Sequence, residues 1–342
     1  MVYICLCVCA FVCQGKGRRA FPFFDRLMEV ANRMVRILSA DDVKKCITMA
    51  TAIQLQRRAF LALRADSGSV TPERVLLDVP GEGITLFKPA YFDGSQKVLG
   101  AKIVSVRPKN SDKHMNTVPG SIILFDAETG FTRSLMDAEY LTGLRTAAGS
   151  GVFTDMYASA TASNMVVFGA GLQAEEHVKA VFEVRPSVKT VTFVNRTATR
   201  ALDLIDRLRG AFPNVDYGAC IPGEAAKIKA ALGACDIICT CTNASMPLFK
   251  YEDLEGNARN VHVNAIGSFT PTMQELPSEM VSKAVADGVV VCDSSHALAV
   301  GEFSHLSSEE SKRVAVACDV LASGGAGEGA AGGGGGGGDF LF

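Results

Sequence analysis

A chain of 342 residues is long enough for two domains, each with its own core. An apolar fraction of 48%, a charged fraction of 20% and a formal net charge of −2 describe a globular protein, with no positive excess to favour nucleic acid. Eleven cysteines suggest neither a disulfide framework nor a metal site, since Cys239-x-Cys241 lacks zinc-ribbon spacing and no histidine clusters beside it. Free thiols in a reducing, cytoplasmic compartment are the expectation, with no membrane partner.

Residues 1–33 read as a leader or a mis-assigned extension. Their apolar run, 2–12, has the length of a signal-peptide core and is too short to span a bilayer. No basic residue precedes the run, whereas Lys16, Arg18 and Arg19 follow it, the reverse of a secretory signal. Asp25 and Glu29 interrupt the basic residues that a mitochondrial presequence would need. Met34 is the expected natural start, opening a strand and then a helix capped by Ser39.

A helix over 41–64 comes next, followed by β-like runs at 74–79, 83–88, 99–106 and 121–126. Gly81-Glu82-Gly83 and Pro119-Gly120 break them in hairpin fashion. A helix over 141–160 leads into the second half of the chain. There strands at 165–168, 190–194, 215–219, 236–240, 262–266 and 289–292 alternate with helical connections, which predicts a doubly wound parallel sheet of the Rossmann type. The domain boundaries follow as 34–150 and 151–300, with 301–342 a C-terminal segment. Its Gly-rich stretch, 323–339, cannot bury enough surface to fold.

The chemistry concentrates where the first strand of that sheet ends. The apolar run 165–168 leads into Gly169-x-Gly171-x-x-Ala174 and then a helix-like segment. Gly169 permits the sharp turn, Gly171 lets a pyrophosphate approach the main chain, and Ala174 keeps the helix close to the strand. A glycine turn of this kind is a weak signal by itself. Context comes from the strand 190–194, which ends in Asn195-Arg196-Thr197. A ribose-binding acid is absent there and a guanidinium stands in its place, which favours the 2′-phosphate of NADP(H) over NAD(H).

Taken together, the segments Leu99-Gly-Ala-Lys102, Pro108-Lys-Asn110, Leu141-Thr-Gly-Leu-Arg145-Thr-Ala-Ala148, Phe168-Gly-Ala-Gly-Leu-Gln173-Ala174 and Asn264-Ala-Ile-Gly-Ser268 resemble the ornithine cyclodeaminase and mu-crystallin family. The resemblance implies an α/β architecture, in which a Rossmann domain is joined to an α+β substrate domain that also builds a homodimer. It further implies a nicotinamide cofactor and chemistry at the carbon–nitrogen bond of small amino or imino acids. Arg74, Lys102 and Arg145 match positions that family members use around substrate, where an α-carboxylate needs a guanidinium and an imine needs a proton source. Thr146, Gln173 and Thr242 match family cofactor positions, and Asn195-Arg196-Thr197 resembles the NADPH-using mu-crystallin branch.

Two departures from the family bear on activity. Phe269 stands in Gly267-Ser-Phe-Thr-Pro271-Thr-Met-Gln-Glu275-Leu, where bacterial cyclodeaminases place an acid–base Asp, and an aromatic ring cannot move a proton. The chain after Glu302 is soon Ser-rich and Gly-rich, where family members continue with a segment that returns to the substrate domain; the C-terminal segment is therefore expected to be truncated. An NADPH-dependent reductase of cyclic ketimines leads. An ornithine cyclodeaminase, and a protein that binds NADPH and a small ligand without turnover, stay open beside it.

Overall fold

A computed structural model describes residues 35–64, 67–94, 97–257, 259–324 and 340–341, and the chain divides into two compact units, Met1–Arg145 and Thr146–Phe342. The expectations about residues 1–33, the start at Met34 and residues 325–339 of the tail lie outside the described residues.

The first unit is built on a six-stranded sheet. β1 (Arg36–Leu38) leads into α1 (Ala40–Lys44), whose start is a capping box: Asp42 N donates to Ser39 Oγ, and Ser39 N donates to the Asp42 carboxylate. The single helix expected over 41–64 is in fact two. α2 (Met49–Leu61) begins anew at Thr48, whose hydroxyl accepts from Thr51 N at 3.2 Å. A second strong N-cap inside the helical pattern ends one helix and opens another.

The strands β2 (Val75–Val79), β3 (Gly83–Phe92), β4 (Val98–Val106), β5 (Gly120–Phe125) and β6 (Thr132–Asp137) complete the sheet in the order β1-β6-β5-β4-β3-β2. All pairs are antiparallel except β1 with β6. β3 runs past the expected Lys88, through Pro89. That proline lies beyond Phe87, the last β3 residue paired with β2, so its missing N–H costs no bond in that ladder. β6 was not expected, because Thr132-Arg-Ser-Leu-Met-Asp137 carries little hydrophobic signal. Its buried positions Ser134 and Met136 alternate with exposed Arg133 and Leu135, which suits a half-covered strand.

α3 (Glu139–Tyr157) contains the boundary between the units, after Arg145. The second unit alternates β7 (Asn164–Phe168), α4 (Leu172–Val184), β8 (Thr190–Val194), α5 (Ala198–Ala211), β9 (Asp216–Cys220), α6 (Ala225–Ala234), β10 (Ile237–Thr240), β11 (His262–Ala265), α7 (Ser278–Asp287) and β12 (Val289–Cys292). Residues 303–322 are folded: α8 (Ser308–Ser311), β13 (Ala315–Val316) and α9 (Ala317–Ala322) follow, and β13 pairs with β12. With β14 (Phe340–Leu341), the strands form one parallel sheet in the order β13-β12-β14-β11-β10-β7-β8-β9.

Period-2 alternation sends Met165, Val167, Val191 and Phe193 into one apolar cluster and Val166, Phe168, Ile238 and Val263 into another, so both faces of the sheet are covered. The chain moves outward through β8 and β9, then returns to β10 on the other side of β7. That reversal opens a crevice at the carboxyl ends of β7 and β10, where open α/β sheets bind ligands.

Candidate functional site

The second unit supplies a dinucleotide cradle. Gly169 has φ +107°, a left-handed conformation that glycine adopts freely, and a Cβ there would meet Cys241 O at 2.6 Å. Gly171 is the N-cap of α4 and gives no side-chain bond to the helix, and a Cβ placed on it would meet no atom within 4 Å. Ala174 is fully buried in the cluster with Val167 and Val191. Gln173 Oε1 is buried without a hydrogen-bond partner, an acceptor waiting for a donor. Its main-chain carbonyl accepts from His177 Nδ1 at 2.7 Å, and His177 Nε2 lies 3.0 Å from Ser150 Oγ. A buried histidine thereby locks the first turn of α4 to α3.

At the end of β8, Asn195 Nδ2 donates to Thr197 O at 2.8 Å and shapes the turn into α5. Thr197 is the N-cap, yet its hydroxyl makes no capping bond, and the first turn of α5 holds no acid. Arg196 and Arg200 are exposed there, one turn apart. This is an environment for an anion. The donors present fit a nicotinamide dinucleotide. Thr146 stands half-buried in α3.

Thr242 follows β10, and its polar groups are engaged within the protein. Its N–H and its hydroxyl both donate to Glu275 Oε1, each at 2.6 Å. Gly267 N donates to the other oxygen, Oε2, at 2.7 Å. Glu275 is fully buried, and burial pushes its carboxyl above the usual range while the donors from Thr242 and Gly267 pull it back. Glu302, also buried, accepts from Glu275 N at 2.6 Å and from Ser268 Oγ at 3.0 Å. Phe269, two residues beyond Gly267, is 61% exposed.

The first unit holds the three expected substrate residues. Lys102 in β4 is buried, and its ammonium donates to Thr142 Oγ1 at 2.6 Å; that hydroxyl in turn donates to Ala138 O, also at 2.6 Å. One helical turn after Thr142 comes Arg145, whose Nε is buried without a partner. Arg74 is exposed and immediately precedes β2. Val75 pairs with Phe87, so Arg74 falls beside Lys88, and Lys88 pairs directly with Lys102. Lys88 and Lys102 thus sit in one row of β3 and β4, with Arg74 at the edge of β2 in line with them. Lys88 was not picked out from the sequence because its place beside Lys102 appears only in the register, although the alternation along 83–92 could have placed it on the Lys102 face. In the sequence, Glu302 marks only where the family resemblance ends, and Glu275 is one residue of the segment 267–276.

A parallel sheet with a strand-order reversal, a glycine turn entering a helix and an uncapped second helix define a Rossmann-type dinucleotide-binding protein. The chain belongs to the ornithine cyclodeaminase/mu-crystallin family, whose model matches residues 33–322. The family comprises NAD(P)-dependent oxidoreductases and cyclodeaminases. Among its relatives, the Delta(1)-pyrroline-2-carboxylate reductase of Bacillus cereus is 35% identical over 249 residues, covering 72% of this chain and 73% of that one. The ketimine reductase mu-crystallin of Rattus norvegicus is 28% identical over 74% of this chain and 77% of its own. Among solved structures, the Delta(1)-pyrroline-2-carboxylate reductase of Thermococcus litoralis, in complex with NADH and L-proline, superposes with a TM-score of 0.75 at 28% identity, covering 90% of this chain and 91% of that one. Among the described residues, no helix is long and apolar enough to cross a membrane.

Proposed function

We propose that this protein is an NADPH-dependent reductase of a small cyclic imino acid, of the Delta(1)-pyrroline-2-carboxylate kind. The observation that carries this reading is the buried Lys102 ammonium, held on Thr142 one turn before Arg145, whose buried Nε has no partner. A guanidinium in such a setting suits a carboxylate, and an oriented ammonium suits a nitrogen that must gain a proton. In this reading Arg74 and Arg145 hold the α-carboxylate and Lys102 donates the proton to the imine nitrogen. The reduced nicotinamide, when bound, supplies the hydride to the adjacent carbon, which leaves a saturated amine. The exposed Phe269 gives no acid for deamination of ornithine, and the names of the Bacillus and rat relatives support the reductive direction. Arg196, with no acid in the first turn of α5, supports NADPH over NADH.

The same reading makes the protein a homodimer of a reducing cytoplasm. Pro89, Ala101, Ile123, Leu135 and Ile37 form an apolar row across five strands of the first unit's sheet, on the side opposite Lys102. Ile37 is 78% exposed and Leu135 40%, a surface that a second copy would cover. The cysteines among the described residues are free thiols.

The deciding experiment follows NADPH absorbance with Delta(1)-pyrroline-2-carboxylate as substrate and assays for L-proline. Consumption of NADPH with formation of proline is expected. Arg145→Ala should lower kcat/KM on the order of a hundredfold or more, the loss of a charge-assisted pair, with little change in NADPH affinity. A protein that binds NADPH yet reduces no cyclic imino acid would end the reductase reading.

A further inference from the structure

We infer that Glu275 is a positioning residue that sets the spacing of the two loops serving the nicotinamide half of the cofactor. The inference rests on the dinucleotide reading above and goes further, because it assigns a buried carboxylate that no motif role required. In the order β11-β10-β7-β8-β9, the glycine turn after β7 serves the pyrophosphate and the Arg196 end of β8 serves the adenosine side. The loops after β10 and β11 are left for the nicotinamide.

Both loops converge on one side chain. Oε1 of Glu275 takes the Thr242 N–H and hydroxyl from the β10 loop, and Oε2 takes the Gly267 N–H from the β11 loop. The backbones are so close that a Cβ on Gly267 would fall 1.9 Å from Thr242 O and 2.6 Å from the Glu275 carboxyl. Ala244 N donates to Thr242 Oγ1 at 3.2 Å, and Leu248 N donates to Glu275 O at 2.9 Å, so the whole β10 loop is laid along the strap. Glu302 anchors the strap from behind through Glu275 N and Ser268 Oγ. A carboxylate without exposure is costly unless its lone pairs are filled. Here three donors from two separate loops fill them, and the geometry fixes the distance between those loops. Glutamine at 275 has the same length but turns an NH2 toward one of the donors, so it can hold one loop and not both.

The test compares two ligands by calorimetry on the full chain. NADPH carries the nicotinamide; adenosine 2′,5′-bisphosphate carries only the adenosine end. Glu275→Gln should weaken NADPH binding about tenfold or more while leaving the bisphosphate within about twofold of wild type. Gly267→Ala, which pushes the same loops apart with the carboxyl intact, should give the same split. Thr242→Ser keeps both donors and should bind like wild type, whereas Thr242→Val loses one donor and should fall between. If Glu275→Gln shows no cooperative thermal transition, the Thr242 pair decides: a selective loss of NADPH in Thr242→Val supports the assignment. Equal losses for both ligands, or no loss for either, would overturn it. Wild-type protein that binds neither ligand would instead overturn the dinucleotide reading and this assignment with it.

Discussion

Single side chains carry the sharpest consequences. In the proposed NADPH reading Arg196 meets the 2′-phosphate, and its replacement by alanine would remove a charge-assisted contact of about 1.5–3 kcal/mol. Arg196→Ala is therefore expected to weaken NADPH by roughly ten- to a hundredfold and NADH hardly at all, as read from fluorescence titration of both cofactors. His262 gives a second expectation, concerning acid. It is buried, with Nε2 3.1 Å from Asn264 Oδ1 and 3.0 Å from Thr154 Oγ1, and its Nδ1 has no partner. Burial lowers its pKa from 6.5 to about 4, opposed by the Asn264 hydrogen bond and reinforced by the positive charge of Arg185. Below pH 6.5 the unfolded chain takes up a proton that the folded one refuses, so this contribution is complete above pH 6.5 and lost as pH falls toward 4. The loss amounts to roughly 3 kcal/mol. Denaturant unfolding at stepped pH should show it, and His262→Gln should flatten the acid limb; an unchanged limb would mean that other groups dominate acid unfolding.

At the scale of elements, the second unit depends on how helix ends are tied. Arg185 follows α4 and is buried, with its guanidinium donating to main-chain carbonyls of Asp155, Ala158, Ser159 and Val184. One cation thus satisfies the carbonyls at the end of α3, where a helix leaves its last acceptors open. Arg185→Ala strands these carbonyls in a buried place and should cost about 3 kcal/mol, read as a lower midpoint in urea with an unchanged slope. Arg185→Lys should recover little of it, because an ammonium cannot span the carbonyls that a guanidinium fork reaches. The α1–α2 break shows the same logic from the other end. Two capping residues, Ser39 and Thr48, open two helices where hydrophobic pattern alone describes one.

For the whole molecule, the sheet of the first unit presents two unlike faces. One carries Lys102, Ile122 and Met136, all buried; the other carries the apolar row from Pro89 to Ile37, half-buried at Pro89, Ala101 and Ile123 and exposed at Leu135 and Ile37. A second copy seated on that row would remove apolar area from water at roughly 25 cal/mol per Å². Sedimentation should accordingly report a dimer, and Leu135→Lys combined with Ile37→Lys should shift it to monomer by burying unpaired charge in the interface. Wild-type protein that sediments as a monomer across micromolar concentrations would refute the assignment of this face.

What the amino-acid order determined by itself is local. The turn at Gly169 and Gly171 was legible because strand, glycine and helix are contiguous, and only glycine accepts the φ of +107° that the turn imposes. The parallel sheet was legible because its strands are short apolar runs spaced by helices. The position of Arg196 was legible because it lies in the short turn that directly follows β8. Tertiary structure decided everything that needs two distant segments to meet. The row of Arg74, Lys88 and Lys102 exists only in the pairing of β2, β3 and β4. Thr242, read as a cofactor contact, has its donors taken by Glu275, which lies 33 residues along the chain. β6 has almost no signal of its own and forms because β5 and β1 offer it edges to pair with. The physical reason is common to all three. Backbone conformation and helix capping are settled within a few residues, whereas register, burial and the cost of an unpaired polar group are settled only when the chain has closed on itself.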